Sequence, residues 1–274
     1  MNKVLLLALV ALALAACGRS ATTPPGDAAA TPPAAAAPDT AAATAANTVP
    51  AGESVEAATG TGQSTLERAV ALPAAGNLPA TAWIAGKNYR VLSPAQPTSV
   101  SPGKVEAVEV FWYGCPHCFA FEPMLENWVK KLPANVEFVR VPLIDGTAAK
   151  MAHARLYYTL QALGKVEALH SRVFNEIHVK GNLLAGANDQ ESLKLQQAFA
   201  KANGISESEY ADAYNSFTVT TRMQQAEDLM LRYKVDGVPS MVINGKFASD
   251  AIMSTSPEKL LSLSSDLLAA ESRR

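Results

Sequence analysis

Cysteine is scarce in this chain: Cys17, Cys115 and Cys118 are the whole supply. Only the last two fall where the sequence looks globular, so no second pair is present to complete a zinc site. A c-type haem needs His directly after the second cysteine of such a pair, and Phe119 stands there. Charge of one sign is lacking too. The 23 Lys and Arg against 25 Asp and Glu leave a formal charge of -2, which gives no reason to expect a nucleic-acid partner. No internal repeat is visible. The apolar run from Val4 to Ala16 is thirteen residues long, short of the ~17–25 that a spanning helix needs. Residues 18 to about 62 have scarcely a large apolar side chain. Such a stretch cannot bury enough surface to offset the entropy of ordering it, and it reads as a tether.

What is present at the start is an address. Lys3 followed by the Val/Leu/Ala run has the pattern of a secretory signal. Its end, Leu14-Ala15-Ala16-Cys17, resembles a bacterial lipobox, which implies cleavage before Cys17 and acylation of its thiol. An ordinary signal cut near a chance cysteine, or an uncleaved anchor, is the competing reading. Two or three acyl chains would hold the protein to a membrane stably where one would not. Gly18 in place of Asp leans toward the outer membrane by that resemblance, and the sequence leaves inner and outer open. The expected organisation is therefore a signal peptide over 1–16, a lipidated Cys17 with an Ala/Pro/Thr-rich tether over 17–85, and a globular domain over 86–274. About 190 residues suffice for one sizeable core. Ser64-Thr65-Leu66-Glu67 has the form of a capping box, so a short helix is expected ahead of Pro73, with no role assigned.

Within the globular part, Val105 to Tyr113 is rich in Val and aromatics and reads as a buried strand. A helix is expected from Pro116, at a first position where a missing N–H costs little, to about Leu132, with Pro123 inside it. Asn135 to Leu143 alternates as a strand, which completes a β-α-β unit. Helical patterns then follow over 148–163, 166–179 and 190–203, with Gly164, Gly181 and Gly204 near their ends as C-caps. Ser206 and Glu209 open a short helix toward Tyr214, and a further helix covers 218–233. Strand character returns at Ser240 to Ile243, with the Asn244-Gly245 hairpin signal and Lys246 to Ala248. Pro257 to Glu271 closes the chain as a helix.

The Cys115-Pro116-His117-Cys118 segment falls at the start of the first long helix, where unsatisfied N–H groups and the positive end of the helix dipole collect. A thiolate at Cys115 is stabilised there. Cys118 lies about one turn on, within reach of a disulfide after local adjustment. Cys115 is thus the candidate nucleophile and Cys118 the resolving thiol. His117 between them adds positive charge or an N–H. Stabilising the reduced thiolate makes the disulfide a stronger oxidant, so the pair is expected to donate disulfides. A structural disulfide across so short a loop would stabilise little.

The Cys-Pro-His-Cys centre, the Glu109-Val110-Phe111-Trp112-Tyr113 run before it and the Gly237-to-Phe247 segment (GVPSMVINGKF) resemble the DsbA family of bacterial periplasmic thiol oxidases. The resemblance covers roughly 86–274. It implies an α/β thioredoxin fold with a helical domain inserted at about 147–234. It also implies a cis peptide before Pro239, packed beside the disulfide, and a Val238 backbone that pairs with a substrate strand. Glu109 and Arg140 match a buried acid–base pair of that family near its redox centre, where Lys is the commoner base; a guanidinium does not readily give up its proton, so an electrostatic role is expected. Their competing reading is a pair of solvated charges at strand ends. His153, His170 and His178 read as surface or packing residues.

By this resemblance the clients are reduced, unfolded, translocated polypeptides, and a quinone-linked membrane oxidase of the DsbB type restores the disulfide. The location is periplasmic and lipid-anchored. No metal or other cofactor is expected beyond the redox-active Cys115–Cys118 disulfide. A reductase or isomerase on the same fold, and a non-enzymatic peptide-binding holdase, are the alternatives.

Overall fold

A computed structural model describes residues 83–273 of the protein. The signal run, Cys17, the tether and the Ser64–Glu67 capping box lie outside the described residues. The elements run β1 (Arg90–Val91), β2 (Val105–Phe111), α1 (Pro116–Val129), β3 (Val136–Pro142), α2 (Ala148–Ala162), α3 (Val166–His178), α4 (Asp189–Ala202), α5 (Glu207–Tyr214), α6 (Phe217–Tyr233), β4 (Ser240–Ile243), β5 (Phe247–Asp250) and α7 (Pro257–Glu271).

The five strands form one mixed sheet in the order β1-β5-β4-β2-β3, with β2 and β3 parallel and the other neighbours antiparallel. All seven residues of β2 are buried, Glu106 and Glu109 among them, as befits a strand flanked and covered on both sides. Alternation then sorts its side chains. Ala107 joins Ile243 and the α7 residues Leu263 and Leu267 in one core. Val108 and Val110 join Val242 and the helical block in another. Glu109 pairs across with Met241 on one side and Arg140 on the other. Its parity with Ala107 sets it on the α1/α7 face, beneath the helix that carries the cysteines.

Helix limits follow local chemistry. Ser206, Ser216 and Ser256 each accept the N–H three residues on, at Glu209, Val219 and Lys259, satisfying an orphan donor of the first turn. Gly164, Gly181 and Gly204 close α2, α3 and α4 with positive φ. At the end of α6 Lys234 takes the left-handed conformation that Gly usually fills. Asn244 and Gly245 both have positive φ, as the tight hairpin turn requires.

Three differences from the sequence expectations have simple causes. β1 is only two residues long, too short to show a period. β5 runs to Asp250 because Met241 and Ser240 still offer it partners. Trp83, ahead of the expected boundary at 86, packs against the α7 core and donates its indole N–H to Asp266 Oδ2 at 2.7 Å.

Candidate active site

β2 delivers the chain to a turn at Trp112–Gly114, where Cys115 N–H donates to Trp112 O at 2.9 Å. Cys115 then takes the N-cap position of α1 with an extended backbone, and Pro116 follows inside the first turn. The sequence dictates this arrangement. Proline cannot donate in the first turn and has the φ of a helix start, so the thiol of the preceding residue occupies the place where Ser or Asp normally accepts first-turn N–H groups. Cys115 is 6% exposed and Cys118 wholly buried. Both are free thiols. Pro116 and His117 face solvent.

From 123 residues further on, the loop before β4 meets this turn. The Val238–Pro239 peptide is cis, and Cys115 Sγ donates to Val238 O at 3.6 Å. Ser240 Oγ donates to Gly237 O at 2.7 Å and closes the loop. The expected cis peptide is present, and its Val238 carbonyl faces Cys115.

The two thiols are pushed in opposite directions. Cys115 is lowered to about 6, chiefly because the Cys118 S–H hydrogen-bonds to its sulfur. Burial opposes this, while the N–H groups of Cys118 and His117 and the His117 charge add to it. Cys118 is raised far above an ordinary thiol by burial first, then by its hydrogen bond to Cys115, the Cys115 charge and Glu109. The expected helix-start effect acts in the direction foreseen, through the first-turn N–H groups near the sulfur rather than through a formed cap hydrogen bond. The His117 charge acts in the expected direction as the smallest of these contributions.

Beneath the cysteines lies a buried charged cluster. Glu109 is wholly buried, so the reading of a solvated strand end does not hold for it. Arg140 Nε lies 3.2 Å from Glu109 Oε2, and Arg140 Nη2 donates to Glu122 Oε1. The guanidinium also covers the Phe138 ring at 4.9 Å. Glu109 is raised well above the usual carboxylate range by burial and by the Glu122 charge, against the pull of Arg140. For Glu122 burial raises the carboxyl, but His170 and Arg140 together outweigh it and hold it low.

Glu122 is absent from the sequence reading, and the three histidines enter it only as surface or packing residues. Glu122 had a readable signal: it shares the i, i+3, i+4, i+7 face of Cys118, Phe121 and Leu125, where a charge needs a partner. The histidines are packed as expected, yet each is also a polar link near the turn before Cys115. Tyr113 OH and His170 Nδ1 are 2.8 Å apart. His178 Nε2 lies 2.7 Å from Tyr113 O, with its ring stacked on Phe119. His153 Nε2 lies 2.7 Å from Leu183 O and its ring flanks Trp112. Among the described residues no group of three or more His, Cys, Asp or Glu could hold a metal ion.

Comparison with known proteins agrees with this geometry. The profile of the DSBA-like thioredoxin domain matches residues 107–262. The thiol:disulfide interchange protein DsbA of Pseudomonas aeruginosa is 39% identical over 189 residues, covering 69% of this chain and 86% of that protein. The protein of the same name from Burkholderia cepacia is 40% identical over 162 residues, covering 59% and 73%. Among solved structures, Pseudomonas aeruginosa DsbA superposes with a TM-score of 0.62 at 39% identity, over 69% of this chain and 94% of that one. The oxidoreductase DsbA from Xylella fastidiosa gives 0.65 at 25% identity, over 70% and 100%. With its α/β thioredoxin fold and paired cysteines at the head of α1, the chain belongs to the DsbA-like thioredoxin family.

Proposed function

We propose that the protein is a thiol–disulfide oxidoreductase that works as a disulfide donor. A substrate thiolate attacks Cys115 Sγ of the oxidised centre, forming a mixed disulfide while Cys118 departs and takes up a proton. A second substrate thiolate then attacks the substrate sulfur of that mixed disulfide, and Cys115 departs as a thiolate. The substrate gains one disulfide and the centre becomes a dithiol. Val238, with its carbonyl beside Cys115, would pair with the extended substrate, and Pro239 and His117 border the attacked sulfur. One observation supports the direction: Cys115 stands at the head of α1 with Cys118 buried one turn below, a placement that pushes the first thiol down and the second up. A stabilised reduced form makes a stronger oxidant.

Clients of this chemistry are reduced, unfolded polypeptides. Re-oxidation falls to a quinone-linked membrane oxidase of the DsbB type, as family membership suggests. The redox-active disulfide itself would be the only cofactor used. The apolar leader and Leu14-Ala15-Ala16-Cys17 support a periplasmic protein held to a membrane through acylated Cys17, with residues 17–85 as the tether to a domain over 86–274. The deciding measurement is the equilibrium of the Cys115–Cys118 couple with glutathione. A potential more oxidising than the roughly -200 to -230 mV of glutaredoxins supports a donor, and one near thioredoxin's, about -270 mV, overturns it.

A further inference from the structure

We propose that His170, on α3 of the helical block, is a positioning residue of the redox centre: by holding the charge of Glu122 it leaves the shared proton of the buried carboxyl pair on Glu109, beneath Cys118. The inference rests on the oxidoreductase reading for its consequence, but not for its geometry.

Two buried carboxyls converge on one guanidinium. Arg140 reaches Glu109 through Nε at 3.2 Å and Glu122 through Nη2. If both carboxyls were charged, one buried negative charge would stay uncompensated, so one carboxyl keeps a proton, as carboxylates sharing a site do. The two are not served alike. Glu122 Oε1 accepts from Arg140 Nη2 and has His170 Nε2 at 3.4 Å, whereas Glu109 has only the Arg140 Nε contact, and neither of its oxygens makes a hydrogen bond among the described residues. The better-served carboxyl keeps the charge, and the worse-served one keeps the proton.

Tyr113 fixes which nitrogen of His170 does this. Its hydroxyl sits 2.8 Å from Nδ1. Were Nδ1 protonated, the lone pair of Nε2 would face the Glu122 carboxylate. The arrangement free of that repulsion has Tyr113 O–H donating to Nδ1 and Nε2–H directed at Glu122. Burial disfavours the imidazolium, so a neutral ring suffices. The other groups facing His170 do not compete for this place. Tyr157 of α2 presents its ring at 6.3 Å and is raised to about 12. Glu126, one turn along α1, is occupied by Ser171 Oγ at 3.0 Å. Without His170, Glu122 would rest on Arg140 alone, as Glu109 does, and the gap between the two carboxyls would narrow. Glu109 would then carry charge, and a charge there opposes formation of the Cys118 thiolate.

The test reads carboxyl protonation directly, by infrared or carbon NMR of the full-length protein, with Glu109→Gln and Glu122→Gln variants to assign the signals. In the native protein at pH 7 the one protonated carboxyl of the pair is expected to vanish in the Glu109→Gln variant. In His170→Phe a measurable part of that signal is expected to move to Glu122. His170→Gln keeps an N–H donor and is expected to restore most of it. Attack of Cys118 on a preformed mixed disulfide at Cys115 is expected to slow roughly tenfold in His170→Phe, the equivalent of about one pKa unit at Cys118. A native proton on Glu122, or a proton that stays on Glu109 in His170→Phe, overturns the proposal. If that variant does not fold, Tyr113→Phe carries the test, with a smaller move of the same sign expected and no move refuting it. These carboxyl signals are independent of the glutathione potential, so a reducing potential would sink the donor reading and leave this result standing.

Discussion

The Cys118 S–H is the largest stabiliser of the Cys115 thiolate, and this can be separated from every other influence on the site. Replacing Cys118 with Ala deletes the donor while keeping the backbone N–H of residue 118 in place. A hydrogen bond to a charged acceptor contributes ~1.5–3 kcal/mol, and one pKa unit corresponds to about 1.36 kcal/mol. Cys115 should therefore move up from about 6 by roughly one to two units, to roughly 7–8. The first-turn N–H groups and His117 keep it from returning to an ordinary thiol. Cys118→Ser offers an O–H in the same place and should stay near the native value. The assay is ultraviolet absorbance of the thiolate across a pH titration, repeated as the pH dependence of alkylation. An Ala variant that titrates with the native protein, or a Ser variant that rises as far as the Ala variant, would refute the reasoning.

Three further outcomes are expected. Because Cys115 is lowered on folding from 9.0 to about 6, it stabilises the reduced protein most near pH 9, by roughly 1 kcal/mol at pH 7 and hardly at all below about pH 5. Above about pH 9 buried Cys118 acts against it, so the thermal midpoint of the reduced form, relative to the oxidised one, should fall between pH 8 and pH 5. Arg140→Met leaves two buried carboxyls without their cation and should cost about 3–5 kcal/mol in denaturant unfolding, with Arg140→Lys and the Arg140→Met/Glu122→Gln double variant recovering part of it. Mass spectrometry of the mature N-terminus should find an acylated Cys17; a different start or an unmodified thiol there removes the anchor.

Much of the site was legible because its chemistry is local. Cys115, Pro116 and Cys118 declare a helix start and a disulfide within four residues. The alternation of β2 and β3 and the Asn244-Gly245 turn are short-range patterns too. What escaped was set by pairing across distance. Glu109 could be read as an anomaly in an apolar strand, but that it faces α1 rather than solvent depends on Met241 and Arg140 flanking it in the sheet. His170 looked like a packing residue because its partners, Tyr113 and Glu122, lie 57 and 48 positions away. No periodicity in α3 can announce a hydrogen bond to another element. β1 was invisible for a different reason: two residues carry no pattern, and it exists because β5 offers an edge.

The separation of Cys115 from Val238 by 123 residues has a consequence for the order of events during synthesis. The Cys-Pro-His-Cys segment is made long before the loop that completes its surroundings, and α2 to α6 must be made in between. Until β4 docks on β2, with Val110 opposite Ser240, the nascent cysteines lack the Val238 carbonyl. They are then a thiol pair without the loop that borders them in the folded domain. The site is completed by the arrival of the C-terminal hairpin, so a chain truncated before residue 238 would carry the whole motif and still lack the assembled site.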